Sequence, residues 1–403
     1  MRRKFVCILT VVLLIVTAAF ALTACDKTET TPYTIVYVGD SIAEALIGPS
    51  PLGERDNYGY YALVGRVNNF RYYNHSVSGH KTSTGIVSGE GLLEVLNRED
   101  ENATLMKTHL QEADMIHISV LGNNILQYNL GLLMLEVADP QFRQKYEQGT
   151  TLINALENGD RVYRDSVERF DADGKPVQVE FDFPSTYQDI CDIVDRLKEL
   201  NPDATIVFQK VYNPFFEGSK HLSATVHRKL AQITDDGRFG AEGQPIATIA
   251  QIRKVGDELL GCLNGMLDRY LEEHPNAFTI LDAREAFEEV VVSDKDVDGN
   301  VKLGGDSLGR KLIYQDWTHP SNFGHAVIAG LTQDLLDEMG VSSPDAVSNY
   351  KKIKKEQINR LYKNAGNGNF PVASAIADID SAETFFDVTM AYFNAIDGWT
   401  PVY

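Results

Sequence analysis

A serine, a histidine and an aspartate stand in this chain where they can form a nucleophile, its base and the base's orienter. Ser41 closes Gly39-Asp40-Ser41, a tight turn entered from the apolar run Ile35 to Val38. Near the far end lies Asp316-Trp317-Thr318-His319-Pro320. A carboxylate three residues before a histidine can turn back to Nδ1 and fix the tautomer. Nε2 is then left to take a serine proton. Pro320 stiffens the turn. Two more blocks carry donors. Gly79, in Asn74-His75-Ser76-Val77-Ser78-Gly79, offers a backbone N–H, and Asn124, in Leu121-Gly122-Asn123-Asn124, offers an amide. With the Ser41 N–H they can surround an oxyanion. Together these residues point to acyl transfer through a serine.

Several lookalikes compete with that set. Gly305-Asp306-Ser307-Leu308-Gly309 repeats Gly-Asp-Ser and also spells G-x-S-x-G. No apolar strand leads into it, so Ser41 is expected to carry the reaction. Asp294-Lys295-Asp296-Val297-Asp298-Gly299 begins like a calcium loop, but Gly305 stands at its twelfth position, where a bidentate Glu is needed. A hairpin turn and no metal site are expected there. Asn123 is the alternative amide donor to Asn124. His325 is expected to pack inside a helix. His75 and His80 either line the pocket or are structural, and Trp317 either walls the acyl pocket or packs.

The elements that must position these residues read as an α/β alternation. Residues 34–38, 70–74, 114–121, 204–211 and 277–282 are apolar runs expected as buried strands. Helical spacing marks 189–200, 249–271 and 322–339, and a helix-like segment follows Ser41 at once. Strands alternating with helices predict a parallel sheet, whose carboxyl edge gathers ligands. Every block above follows a predicted strand. A helix starting at Ser41 would add free N–H groups and a positive dipole end. Two stretches break the rhythm, about 126–184 with a hairpin signal at Asp173-Gly174 and about 291–314 with another at Asp298-Gly299. Past Gly340 the composition shifts to a charged helix and then an apolar one over 381–396.

On four blocks in order, Gly39-Asp40-Ser41-Ile42, the Gly79 block, Gly122-Asn123-Asn124-Ile125 and Asp316 with His319, the chain resembles the SGNH hydrolases of the GDSL esterase/lipase superfamily. The resemblance covers roughly residues 33 to 340. It implies a flavodoxin-like three-layer α/β/α sandwich around a parallel sheet of about five strands, with loop insertions and here a C-terminal helical extension. It also implies Ser41 as nucleophile, His319 as base and Asp316 as its orienter. Ser41, Gly79 and Asn124 would form the oxyanion hole. Family members hydrolyse carboxylic esters, and some thioesters, without a cofactor. Ile42 for Leu is a trivial departure. Ile125 stands where the family usually has Asp, so a carboxylate supporting Asn124 is lost.

The chain has 403 residues and opens with Arg2, Arg3 and Lys4 before an apolar run from Val6 to Leu22. Leu22-Thr23-Ala24-Cys25 follows and resembles a bacterial lipoprotein signal, cleaved before Cys25 and lipidated on its thiol. A transmembrane anchor is the rival reading, but the run is marginal for the ~20 residues a span needs. The expected organisation is a signal over 1–24, a lipidated cysteine and tether over 25–33, a hydrolase domain over 34–340 and a helical extension over 341–403. Net charge is −20, and more negative once the basic signal is lost. Such a surface repels nucleic acid and anionic head groups, leaving the N-terminal lipid as the membrane contact. Cys191 and Cys262 show neither a disulfide framework nor a metal spacing and are expected to pack as small hydrophobes. The reading is an exported, membrane-tethered serine esterase acting on a small-molecule, glycan or lipid ester. Its alternatives are an O-acetyl-polysaccharide deacetylase and a non-catalytic surface-anchored binding lipoprotein.

Overall fold

The computed structural model describes residues 32–46, 54–83, 90–124, 161–214, 249–302, 307–314, 318–365 and 371–396. In chain order the strands are β1 (Thr34–Gly39), β2 (Arg71–Asn74), β3 (Met115–Ser119), β4 (Arg161–Phe170), β5 (Pro176–Asp182), β6 (Thr205–Gln209) and β7 (Thr279–Leu281). The helices before β6 are α1 (Tyr60–Asn68), α2 (Leu92–Asn97), α3 (Glu101–Gln111) and α4 (Phe183–Leu200). After it come α5 (Ile249–Glu273), α6 (Ala283–Ser293), α7 (Leu308–Leu312) and α8 (Asn322–Glu338). After α8 come α9 (Ala346–Ala365), α10 (Val372–Ser381) and α11 (Phe385–Ile396), the last of the described helices.

β2-β1-β3-β6-β7 form a five-stranded sheet in that order, and every pairing is parallel. This is the flavodoxin-like order, whose direction reverses between β1 and β3, and ligands of such sheets bind in the crevice there. Ser41 follows β1 and Asn124 follows β3. The central strands β1, β3 and β6 are buried almost throughout and largely apolar because helices cover both faces. The expectation of a buried strand over 70–74 is corrected: β2 (Arg-Tyr-Tyr-Asn) is an edge strand with Arg71 exposed and the rest half-buried. On one face Val36, Val38, Ile116, Ile118, Ile206 and Phe208 pack with Leu96, Leu110, Ile193, Leu197, Leu263 and Leu267 of α2 to α5. The opposite face carries Tyr37 and His117, which meet Tyr60 of α1 with ring centroids 5.7 and 5.3 Å away.

β4 and β5 pair antiparallel about the expected Asp173-Gly174 turn. Lys295 bridges Val301 around Gly299, the second expected turn. α4 starts at Phe183, earlier than the apolar spacing from 189 predicts. The expected helix after Ser41 is corrected to a single turn. Glu44 N–H reaches Asp40 O at 2.9 Å, but Ala45 adopts φ +57° and turns the chain away. Tyr58 Oη donates to Ala45 O at 3.2 Å, so tertiary contact holds the turn that helix propensity would have continued. The extension holds a helix, α10, that the apolar spacing missed. α9 docks on α1 through Asn349 Nδ2 to Val67 O at 2.7 Å. No disulfide joins Cys191 and Cys262, both half-buried beside the core. Among the described residues no helix is long and apolar enough to cross a membrane. Cys25 lies outside the described residues.

Candidate active site

Gly39 makes the tight turn into Ser41 possible. Its φ is +149°, and a Cβ there would lie 1.9 Å from Ser119 O. The chain therefore passes against the end of β3, where Asp40 N–H donates to Ser119 O at 2.7 Å. Asp40 is buried, and its Oδ1 accepts the Ile42 N–H at 2.9 Å. Burial pushes its carboxyl up to about 7, against the Ile42 bond and the neighbouring His319. This short loop presents Ser41 at the switch point without a helix behind it.

His319 Nε2 lies 2.7 Å from Ser41 Oγ. That is hydrogen-bond distance for a nucleophile and its base. The histidine loop is held from several sides. Tyr314 N–H donates to His319 O at 2.8 Å, and Ile313 bridges Pro320. Tyr212 Oη donates to Thr318 O at 2.7 Å while its ring stacks on Phe287. Ser321 then caps α8, accepting N–H bonds from Phe323 and Gly324 at 3.0 and 3.1 Å. Asp316 and Trp317 lie outside the described residues.

The second block continues β2 alongside β1. His75 N–H donates to Tyr37 O and Val77 N–H to Gly39 O, which brings residues 75–80 against the serine loop. Val77 to His80 forms a turn closed by His80 N–H to Val77 O at 3.1 Å. Gly79 sits at its third position with φ +87°, the left-handed geometry of a type II turn that favours glycine. Glu44, on the serine loop, accepts both the N–H and the hydroxyl of Ser78 and pairs with Arg55. Nothing in the sequence pattern marks Glu44, yet it ties the two halves of the site together. Ser41's own N–H has no acceptor among the described residues, as an oxyanion donor requires.

Asn123 and Asn124 both meet the second block. Asn123 Nδ2 holds His80 O at 2.9 Å. Asn124 Oδ1 accepts the Thr82 N–H at 3.1 Å, and its Nδ2 donates to the hydroxyls of Thr82 and Thr186 at 2.8 and 3.0 Å. The structure thus brings Ser41 and His319 into direct contact and docks the loops of Gly79 and Asn124 on one another at the same edge.

The remaining candidates have structural partners. His75 Nε2 lies 2.8 Å from His109 Nδ1, and burial with His109 beside it pulls His75 down to about 4. His325 is buried between Tyr58 and Tyr60, as packing predicts. Ser307 is buried and caps α7, its Oγ accepting the Arg310 N–H at 3.1 Å. In the acidic loop, Asp296 Oδ1 accepts the Asp298 and Asn300 N–H groups, and Asp294 pairs with Lys302. Those carboxylates build a turn. Among the described residues no group of three or more His, Cys, Asp or Glu is arranged to hold a metal.

No family model and no curated protein matches the chain. Solved structures similar to it include an extracellular lipase from Streptomyces rimosus, 13% identical, covering 77% of this chain and 100% of that one at a TM-score of 0.38. Phospholipase A1 from Streptomyces albidoflavus NA297 is 14% identical over 76% of this chain and 99% of its own, at 0.39. Axe2, an acetylxylan esterase from Geobacillus stearothermophilus, is 15% identical over 77% and 97%, at 0.35.

Proposed function

We propose that this protein is a serine-dependent ester hydrolase. The observation that carries the reading is the 2.7 Å contact between Ser41 Oγ and His319 Nε2 at the sheet's switch point. Ser41 Oγ attacks the ester carbonyl while His319 Nε2 takes its proton. The carbonyl oxygen becomes an oxyanion among the Ser41 N–H, the Gly79 N–H and the Asn124 amide. Collapse of the tetrahedral adduct breaks the bond to the alcohol oxygen, which leaves with the proton from His319. Water activated by His319 then attacks the acyl-enzyme and releases the acid. Asp316 orients the His319 ring in this reading. We further propose that the protein is exported and tethered through a lipid on Cys25.

Hydrolysis of p-nitrophenyl acetate by the soluble form lacking residues 1–25 tests the mechanism. Ser41→Ala is expected to cost at least about 10³-fold in kcat and to abolish fluorophosphonate labelling. Undiminished turnover by Ser41→Ala would sink the mechanism. A folded parent that neither labels nor turns over would favour the binding lipoprotein. A panel from acetyl to palmitoyl esters with acetylated xylan separates lipid from glycan substrates.

A further inference from the structure

Asp189 lies in α4, only 7% exposed. Its Oδ2 accepts the hydroxyls of Thr82 and Ser83, each at 2.6 Å. Among the described residues no Lys, Arg or His pairs with it. Burial above all raises its pKa, the two hydroxyls oppose that rise, and the like charges of Glu94 and Asp192 add to it. A buried carboxylate with no counter-ion is costly to keep, and the proposed mechanism so far gives it no task.

Its bonds lead to the oxyanion donor. A threonine hydroxyl has one proton, and Thr82 spends it on Asp189. The lone pairs of Thr82 Oγ1 are thereby turned toward Asn124 Nδ2 at 2.8 Å. The same residue's backbone N–H holds Asn124 Oδ1 at 3.1 Å. Thr82 thus fixes both ends of the Asn124 amide, and its hydroxyl accepts because Asp189 takes its proton. Without the carboxylate that proton is free to swing toward Nδ2, where two donors would face each other. The other Nδ2 contact, to Thr186 Oγ1, is the longer one at 3.0 Å, and it is the bond a developing oxyanion would displace.

We propose that Asp189 is a positioning residue for ester hydrolysis, acting through Thr82 to hold the Asn124 amide with its N–H toward the oxyanion. The inference rests on the esterase reading and extends it to a carboxylate supplied by α4.

The test compares kcat and KM on p-nitrophenyl acetate for Asp189→Leu, Asp189→Ala, Thr82→Val, Thr82→Ser and Asn124→Ala. It adds the double variant Asp189→Leu with Asn124→Ala, and thermal unfolding of each. Leu is near-isosteric with Asp and has no acceptor for the Thr82 proton, which an Asn oxygen would still provide. Loss of one oxyanion donor in Asn124→Ala is expected to lower kcat about 10²-fold, and Asp189→Leu and Thr82→Val roughly 10-fold, with KM nearly unchanged. Thr82→Ser, which keeps the hydroxyl, is expected to retain parental kcat. In the Asn124→Ala background Asp189→Leu is expected to cost nothing further, because it acts through that amide. Unchanged kcat in Asp189→Leu and Thr82→Val, or a full second loss in the double variant, would overturn the proposal. If Asp189→Ala does not fold, Asp189→Leu and Thr82→Val decide the matter. Failure here with Ser41 still labelled by fluorophosphonate would leave the esterase reading standing, whereas a parent inert to both would remove both.

Discussion

Lys354 is the most exacting place to test the physics of this fold. It is 1% exposed in α9, and Tyr350 of α9 with Tyr392 and Phe393 of α11 surround its ammonium at 5.3, 4.3 and 5.4 Å from the ring centroids. Its ammonium donates to Gln357 Oε1 at 3.1 Å, and Arg66 of α1 adds like-charge repulsion. Burial first, then Arg66, pull its pKa from 10.5 down to about 7. The unfolded chain therefore holds one proton more than the folded chain between pH 7 and 10.5. Stability must rise with pH across that window and flatten below it. At about 1.4 kcal/mol per pH unit, the full gap costs about 5 kcal/mol at pH 6 and about 2 kcal/mol at pH 9. Cation–π attraction to the rings favours the charged amine and is already contained in that net gap. Lys354→Met keeps the unbranched stem and removes the ionisation. After about 1 kcal/mol for the lost Gln357 hydrogen bond, it is expected to stabilise the protein by about 4 kcal/mol at pH 6. At pH 9 the same subtraction leaves a gain of about 1 kcal/mol. Urea unfolding of both proteins at the two pH values measures this directly. A Met variant less stable than the parent at pH 6, or a difference that does not change with pH, would refute the reasoning.

Two further perturbations follow from groups near the site. Glu44→Ala removes the clamp on Ser78, and kcat is expected to fall about tenfold at unchanged KM as the Gly79 turn loosens; steady-state kinetics with an unaltered kcat would show that the clamp is idle. His325 has no hydrogen-bond partner on either ring nitrogen among the described residues, and burial lowers its pKa from 6.5 to about 3. The unfolded chain takes up that proton first, so the parent is expected to lose about 3 kcal/mol between pH 6.5 and 4.5 that His325→Phe keeps. Parallel stability curves for the two proteins would contradict this.

The core strands and the Ser41–His319 pair were legible in the sequence for local reasons. A parallel strand covered on both faces must be apolar throughout, so the runs around 34–38, 114–121 and 204–211 mark themselves. Ser41 and His319 are legible because each sits just past such a strand or at a turn that a proline stiffens. The literal twin at Gly305 to Gly309 fails on the same ground, and the structure uses Ser307 to cap a helix.

What local pattern cannot carry is a contact between distant segments. Residues 42–46 read as helix, yet Ala45 turns to meet Tyr58. The segment of α9 reads only as a charged helix, yet Lys354 is drawn into an aromatic cage that exists only once α11 packs on α9. Asp189 reads as the first polar residue of an amphipathic helix, and its partners Thr82 and Ser83 lie 107 and 106 residues away. The sequence by itself determined the sheet, the order of the four blocks and the chemistry their side chains can do, because hydrophobic burial and turn stereochemistry are local. Only the tertiary structure decided which hydroxyls Glu44 and Asp189 hold and where the helices end, because hydrogen bonds between segments form only after the sheet has brought them together.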